Sequence, residues 1–254
     1  MPCRRCGRLG YNARAMKTAL PVWARAAVAH LRRADPVLAR VIDSVGPFEL
    51  RLRRERFPAL CRAIIFQQLA GAAARTIYDR FVALFGERGF PSPRQVLAAS
   101  EAALRAAGLS RQKIRYLRDL AEHVAAGKIN FHRFPRMSDE EVIAELVRVH
   151  GVGRWTAEMF LMFNLGRPDV LPVDDLGVRN AVRRLYRMRK LPDARRLRAL
   201  GERWRPYRSV ASWYLWRSAD IILPDNGAPA RQISGRPARK RLTKGKQSSA
   251  SPVN

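Results

Sequence analysis

Cysteine, acidic residues and long apolar runs are all scarce in this sequence of 254 residues. Its three cysteines, Cys3, Cys6 and Cys61, are too few for a disulfide framework or for the four thiolate ligands of an iron–sulfur cluster. Cys3 and Cys6 form a single CxxC pair, and two thiolates do not complete a tetrahedral metal site. No apolar stretch approaches the roughly 20 residues that a membrane-spanning helix needs, and no signal peptide is evident. We therefore expect a soluble cytoplasmic protein without side-chain metal ligands.

The shortage of acidic residues leaves a strong positive charge. The chain has 49 lysines and arginines against 21 aspartates and glutamates, a net charge of +28 at pH 7. A folded chain so basic usually binds a polyanion, because the attraction acts over long distances. Nucleic acid, an anionic membrane and acidic proteins all fit this charge. Charge alone therefore indicates a class of partner and says nothing about a reaction.

The apolar residues follow a helical period through most of the chain. They recur at helical spacing in five segments, which are 23–45, 57–85, 100–126, 138–149 and 154–165. Glycines and prolines separate these segments at the spacing of a helix bundle, and no clear two-residue alternation indicates a strand. The predicted fold class is all-α.

The two ends differ in composition from the rest. Residues 1–15 precede Met16 and are either a basic N-terminal extension or an upstream mis-start. Residues 228–254 are rich in glycine, proline, serine and basic side chains and offer almost nothing for a core. We expect a helical core over 16–227, followed by a disordered basic tail.

The segment 138–182 is the most informative. Ser138, with a glutamate three residues later, predicts a capping box and a helix that starts near Asp139 and ends at Gly151. Gly151-Val152-Gly153 then predicts a tight hairpin before a second helix. Such a hairpin turns backbone N–H groups outward at the positive end of a helix, which suits a phosphate. An ordinary joint between two helices would use the same glycines.

Two adjacent acids follow the hairpin. Asp174 and Asp175 come after Pro172 and before an apolar helical stripe, which places them in the opening turn of a helix. The helix dipole there favours an ionised carboxylate. One acid can cap the helix while the other reacts, and we assign the N-cap to Asp174.

HGVGRWTAEMF, followed some twenty residues later by LPVDDLGVRNAV, resembles the helix-hairpin-helix plus Gly/Pro-Asp (HhH-GPD) signature of DNA glycosylases. Within that superfamily the chain is most similar to the 3-methyladenine DNA glycosylase II group. LCRAIIFQQLAGAAARTIYDRF, LRAAGLSRQKIRYLRDLA and RWRPYRSVASWYLWR agree in the expected order, so the resemblance covers most of 57–217. It implies two helical lobes with a cleft between them, one over about 61–168 and one from 16–60 with 169–227. Too few residues precede Phe57 to hold the N-terminal sheet domain of larger members.

The resemblance also implies a reaction. It predicts base-excision repair by hydrolysis of the N-glycosidic bond of alkylated purines in duplex DNA, which leaves an abasic site. Asp175, followed by Leu-Gly, matches the catalytic carboxylate that stabilises an oxocarbenium-like state. A register shifted by one residue would select Asp174 instead. Relatives that also cleave the strand have a Schiff-base lysine where this chain has Trp155, so a monofunctional enzyme is expected.

Three groups of DNA-contacting residues are implied in the same way. Trp155 and Trp216 match the pocket for the flipped base, with Tyr214 and Trp213 nearby, although core packing is the ordinary role of helix aromatics. Gln68 matches the wedge, which is the side chain that fills the hole left by that base, and Gln67 or Leu69 could serve instead. The hairpin residues expected to hold the DNA backbone are Gly151, Val152, Gly153, Arg154 and Thr156.

The expected partner is duplex DNA with a damaged base, bound by a monomer. No cofactor is expected, so excision should survive a chelator, although hairpin carbonyls of Val147, Val149 and Gly151 suit a monovalent cation. Three alternatives stay open: a bifunctional glycosylase and lyase for oxidised bases, a non-catalytic helix-hairpin-helix module, and a basic RNA-binding protein. The sequence does not rank 3-methyladenine, 7-methylguanine, hypoxanthine and ethenoadenine as substrates, because that order depends on the shape of the pocket.

Overall fold

The computed structural model describes residues 23–50, 52–86, 89–222 and 231–232. The α-helices in this part of the chain are α1 Ala24–Ala34, α2 Pro36–Val45, α3 Arg56–Phe66, α4 Gly71–Ala83, α5 Pro93–Ala98, α6 Glu101–Ala106, α7 Arg111–Ala125, α8 Asp139–Leu146, α9 Arg154–Phe160, α10 Leu176–Leu185, α11 Ala194–Gly201 and α12 Arg208–Arg217. A π-helical turn, Leu161–Leu165, continues α9, and 3-10 turns cover Phe134–Arg136, Glu202–Trp204 and Ser218–Asp220. The predicted all-α class is confirmed.

One small strand pair departs from the helical pattern. Ile221–Ile222, β1, pairs antiparallel with Arg231–Gln232, β2. Those last two residues are the part of the predicted tail 228–254 that the structure describes, and they form a strand there. The rest of that tail, the N-terminal extension 1–15 and the CxxC pair lie outside the described residues.

Serine caps start several of the helices. The Ser138 side chain accepts from the backbone N–H of Glu141, and Glu141 accepts in return from the Ser138 backbone, so α8 begins at Asp139 as the capping box predicts. The predicted end of this helix is wrong, because α8 stops at Leu146 and turns occupy 147–151. Ser92 caps α5 with a capping box of the same kind, and the side chains of Ser100 and Ser110 cap α6 and α7 by accepting from one backbone N–H each.

Two hydrophobic cores define two lobes. The first core contains buried residues from Phe57 to Val170, and the second contains residues from Ala24 to Leu50 and from Leu171 to Leu215. The predicted lobe bounds are therefore wrong for Phe57, Leu60 and Val170, which the sequence places in the second lobe and which pack in the first core. Phe163 and Trp216 contact both cores, so these two aromatic side chains lie where the lobes meet.

A buried carboxylate joins the two distant segments of the second lobe. Asp35 has no exposed surface, and its Oδ1 caps α2 by accepting from the N–H groups of Val37 and Leu38. Its Oδ2 accepts from the Tyr186 hydroxyl at 2.6 Å and from Trp204 Nε1 at 2.9 Å. Each oxygen of this buried carboxylate therefore accepts two hydrogen bonds, which offset the cost of its burial.

Among the described helices, none is both long and apolar enough to cross a membrane.

Candidate active site

Asp175 is the N-cap of α10. Its Oδ1 accepts from the backbone N–H of Val178 at 2.8 Å, and its own N–H donates to the Pro172 carbonyl at 3.1 Å. Our assignment of the N-cap to Asp174 is wrong. Asp174 is exposed and lies two residues before the helix, and no described residue donates a hydrogen bond to its side chain. The backbone turn thus directs Asp175, and not its neighbour, towards the helix end.

Two tryptophans hold the Asp175 carboxylate. The indole N–H of Trp155 donates to Oδ2 at 2.7 Å, and the indole N–H of Trp216 donates to Oδ1 at 2.8 Å. With the N–H of Val178, three donors orient the group, two on Oδ1 and one on Oδ2. Oδ2 therefore keeps more acceptor capacity for a further partner such as water.

Gly177 lets α12 approach this carboxylate. A β-carbon at this position would lie 3.0 Å from Asp175 Oδ1 and 3.1 Å from Trp216 Cδ1. A side chain would force the indole or the carboxylate to move. The close approach of Trp216 therefore explains why glycine stands two residues after Asp175, which the sequence pattern alone does not explain.

A cavity of about 330 Å³ lies between α3 and α9, and Asp175, Trp155 and Trp216 are not among the residues that line it. Phe163 lines it and stacks on Trp216, with ring centroids 5.9 Å apart and an interplanar angle of 30°. Met159, Phe66 and Asn164 also line it, and sequence reasoning missed all four lining residues named here. Helical spacing from Trp155 could have found Met159 and Phe163, which follow it by four and eight residues on the same face.

Tyr214 does not belong to this site, so the predicted pocket role is wrong for it. It is fully buried in the second core, and its hydroxyl donates to the Gly46 carbonyl at 3.1 Å. Burial raises the pKa of this phenol to about 12. Trp213 also packs in the second lobe, edge-on to Phe48 at 5.1 Å. Of these three aromatic residues, Trp216 is the one that contacts both cores. Tyr214 is two positions from Trp216, which is about 200° around the helix, and therefore faces the second core.

The hairpin has its predicted conformation at Gly151, whose φ is +82°. A β-carbon there would lie 2.2 Å from Cδ2 of Tyr116, so both the backbone angle and the space require glycine. Val152 is buried, and its N–H donates to the Val149 carbonyl. Gly153, which precedes α9, makes no side-chain cap hydrogen bond. The helix therefore starts without a side-chain acceptor for its first N–H groups.

The other predicted backbone-binding residues are not open cations or hydroxyls. Thr156 is buried in the first turn of α9, so its side chain faces the protein interior. The guanidinium of Arg154 contacts Glu140 through two hydrogen bonds, of 3.0 and 2.5 Å, and Glu158 through a third of 3.1 Å. Burial raises the pKa of Glu158 to about 7, although Arg154 opposes that shift. Arg154 is thus a paired cation at the hairpin.

The predicted wedge loop lies against this hairpin. Gln67 Nε2 donates to the Gly151 carbonyl at 2.7 Å, so this side chain ties the loop down and is not available as a wedge. Gln68 is exposed with a φ of +56°, and Leu69 is 39% exposed. Lys113, which sequence reasoning missed, donates from Nζ to the carbonyls of Ile65 and Gln67, at 2.6 and 3.0 Å.

The hairpin carbonyls retain room for one more partner each. Val149 O accepts from the N–H of Val152, and Gly151 O accepts from Gln67. A carbonyl oxygen has two lone pairs, so each can still coordinate a cation, and the donor set suits a monovalent ion. In the described part of the chain, no group of three or more histidine, cysteine, aspartate or glutamate side chains could hold a metal.

Comparison with known proteins agrees with this geometry. The family described as "HhH-GPD superfamily base excision DNA repair protein" matches residues 61–206. DNA-3-methyladenine glycosylase 1 of Schizosaccharomyces pombe is 36% identical over 196 residues, which are 76% of this chain and 86% of that protein. A structure of the S. pombe 3-methyladenine DNA glycosylase in complex with abasic DNA has a TM-score of 0.69 and 36% identity, and the match covers 76% of this chain and 96% of that one.

A DNA-3-methyladenine glycosidase from Bacillus halodurans has a TM-score of 0.70 and 38% identity, with 76% of this chain and 88% of that one covered. An 8-oxoguanine glycosylase/lyase of Clostridium acetobutylicum, at 21% identity and a TM-score of 0.63, shares the fold alone. This chain belongs to the HhH-GPD superfamily of base excision DNA repair proteins.

Proposed function

We propose that this protein is a monofunctional DNA glycosylase that hydrolyses the N-glycosidic bond of alkylated purines in duplex DNA and leaves an abasic site. The observation that carries the proposal is the Asp175 carboxylate, held by Trp155 and by Trp216 at the junction of the lobes. Trp216 in turn stacks on Phe163, which lines a cavity with aromatic walls. The relatives named 3-methyladenine glycosylases support the choice of substrate class.

Asp175 would act on the sugar and on water. The glycosidic bond breaks through an oxocarbenium-like state, and a nearby carboxylate stabilises the positive charge that develops. Oδ1 accepts from Val178 and Trp216, whereas Trp155 is the only donor to Oδ2 among the described residues. Oδ2 is therefore the oxygen that orients the attacking water and accepts its proton.

A base in a duplex is out of reach of this carboxylate, so the nucleotide must leave the stack. The cavity lined by Phe66, Met159 and Phe163 offers apolar and aromatic surface for the flipped base. Gln68 is the wedge that we favour, because it is exposed at the turn of a loop that Gln67 and Lys113 hold in place. Leu69 is the second choice.

A strand-cleaving reaction has less support. It requires an amine that forms an imine with the sugar, and the indole of Trp155 cannot do so. That indole is moreover engaged with Asp175. Lys113 lies near the hairpin loop, but its Nζ already donates to two carbonyls. The residues at the site therefore support hydrolysis without a lyase step.

The phosphate backbone would bind at the hairpin 151–153, through backbone N–H groups at the start of α9. A monovalent cation on the carbonyls of Val147, Val149 and Gly151 would neutralise phosphate charge at this place. The protein would act as a monomer on duplex DNA, because the carboxylate, both indoles and the cavity all come from one chain.

The test is base release from dimethyl-sulfate-treated duplex DNA, with EDTA present and nicks scored before and after alkali. We expect the wild-type protein to release 3-methyladenine, with nicks only after alkali, and Asp175→Asn to release almost none. Asp174→Asn is the matched control and should keep most of the release. Tight DNA binding without release of any base would contradict the proposal and leave a DNA-binding module, and nicks before alkali would favour a lyase.

A further inference from the structure

The cavity that Phe163 lines carries positive charge, which is unexpected for a site proposed to receive alkylated purines, since several of these nucleotides are themselves cationic. Two of its lining residues, Arg53 and Arg62, are cationic, and no acidic residue lines it in the described part of the chain. The remaining surface is largely apolar, with Asn164 and Thr156 as neutral polar residues. The Asn164 amide donates to the Arg53 carbonyl at 3.0 Å, so its own N–H is partly used.

Arg62 is held at this cavity without a carboxylate partner. The carbon of its guanidinium lies 3.8 Å from the centroid of the Phe66 ring and 5.4 Å from that of Tyr78. No described carboxylate lies within ion-pair distance of it, in contrast to Arg154 and Arg208. Burial, and then the charge of Arg53, lower its pKa, which remains that of a cation at neutral pH. A guanidinium on an aromatic face keeps N–H donors for another partner.

A fixed cation affects two kinds of damaged purine in opposite ways. Nucleotides of 3-methyladenine and 7-methylguanine carry a positive charge, and their bases leave as neutral molecules. Hypoxanthine and ethenoadenine nucleotides are neutral, and their bases gather negative charge as the bond breaks. A cation at the wall repels the first kind and stabilises the departing base of the second, and both effects are strong where water is excluded.

We propose that Arg62 is a specificity-determining residue, and that it shifts this cavity towards neutral damaged purines whose departing base accepts a hydrogen bond. This inference rests on the proposed glycosylase function. As the C1′–N9 bond breaks, its electron pair goes to the base. Arg62 donates a hydrogen bond to an oxygen or nitrogen of that base and keeps its proton. Water adds to C1′, the proton that it loses passes through Asp175 to solvent, and solvent returns one proton to the base anion as it leaves Arg62.

Three duplex substrates test the proposal under single-turnover conditions: dimethyl-sulfate-treated DNA scored for 3-methyladenine, DNA with one hypoxanthine, and DNA with one ethenoadenine. We expect Arg62→Met to lower the ratio of neutral-base release to 3-methyladenine release by about tenfold or more, since a hydrogen bond to a charged group is at stake. Arg62→Lys keeps the charge and should retain much of the wild-type ratio. Arg195→Met, on the exposed face of α11, is the matched control for a lost arginine.

The outcomes distinguish a failure of the specificity role of Arg62 from a failure of the proposed glycosylase function. An equal loss on all three substrates would overturn the specificity role, because it would mean that Arg62 only supports the structure. Release of 3-methyladenine by the wild type with no release of either neutral base would also overturn it and leave the proposed function intact. No release from any of the three would instead contradict the proposed function. A ratio that falls in Arg62→Met and recovers in Arg62→Lys would support the inference.

Discussion

The indole N–H of Trp155 donates a 2.7 Å hydrogen bond to Oδ2 of Asp175, although the tryptophan is 48% exposed. An exposed aromatic side chain on a protein surface is normally free to change rotamer. Here the hydrogen bond fixes the ring at the reacting group. Trp155 therefore has two roles in the proposed enzyme, as an aromatic face for the base and as a donor that orients the carboxylate.

The two roles of Trp155 can be separated by substitution. Trp155→Phe keeps an aromatic face but removes the N–H donor, so the single-turnover rate should fall by about tenfold, as expected for a lost hydrogen bond to a charged group. The affinity for duplex DNA should change little. Trp155→Ala should lower both the rate and the binding of a flipped base. Equal rates for Trp155→Phe and the wild type, measured on the same methylated duplex, would contradict the orienting role.

Gly177 offers a test of how tightly the site is packed. Gly177→Ala puts a methyl group 3.0 Å from Asp175 Oδ1 and 3.1 Å from Trp216, so the carboxylate or the indole must shift and their hydrogen bond is disturbed. We expect base release to fall while the melting temperature changes by only a few degrees, since the position is at the exposed start of α10. Wild-type activity in this variant would show that the Trp216 hydrogen bond is dispensable.

The hairpin glycines differ in what they tolerate. Gly151→Ala brings a methyl group onto the Tyr116 ring in a left-handed backbone, and we expect it to cost about 2 kcal/mol or more in the free energy of unfolding and to weaken DNA binding. Gly153→Ala is the matched control, because its β-carbon would meet nothing within 4 Å and its φ is −86°. Thermal unfolding and a DNA titration of both variants check this contrast, and similar behaviour of the two would contradict it.

Stability should depend on pH through Glu158. Its pKa is raised from 4.5 to about 7, so the folded state holds the proton more tightly than the unfolded state. The stabilisation is complete below pH 4.5 and is lost as the pH rises through 7. The groups that face Glu158 are Arg154, Glu140 and Asp174. Glu158→Gln stays neutral, so its melting temperature should fall less than that of the wild type between pH 5 and 8.

Glu140→Gln is the control for this pH profile. The hydrogen bond to Arg154 lowers the pKa of Glu140 below 4.5, so this group is ionised in both states over the same range. Its removal should shift the stability curve over the whole range and, because the Glu140 charge also raises the pKa of Glu158, should move the Glu158 transition to slightly lower pH without abolishing it. A Glu158→Gln curve that runs parallel to the wild-type curve would contradict the raised pKa of Glu158.

Local signals in the sequence predicted much of the fold. The capping box at Ser138, the glycine at 151 and the break at Pro172 each depend on residues within a few positions, and the structure has a helix start, a left-handed turn and a helix N-cap at those places. The N-cap moved by one residue, from Asp174 to Asp175. Both side chains can cap, and only the backbone path through the turn at Pro172 selects one.

Contacts between distant segments could not be read from the sequence. The hydrogen bond from Gln67 to Gly151 spans 84 residues, and the pairing of Arg154 with Glu140 depends on how α8 and α9 meet. Tyr214 was misplaced for a different reason. Tyr214 is near Trp216 in sequence but not in space, because two residues along a helix place side chains on nearly opposite faces.

The carboxylate of Asp35 has a consequence for how the chain is made. Its hydrogen-bond partners on Oδ2, Tyr186 and Trp204, follow it by 151 and 169 residues. The chain leaves the ribosome N-terminus first. The residues of the first lobe, which lie between the two halves of the second lobe, are therefore complete and can pack their core before the C-terminal half of the second lobe is made. The apolar faces of helices α1 and α2 then stay uncovered until the C-terminal half of the second lobe has been synthesised. A growing chain stalled before residue 186 would expose the apolar faces of α1 and α2 to chaperones. A chain extended beyond Trp204 would bury them.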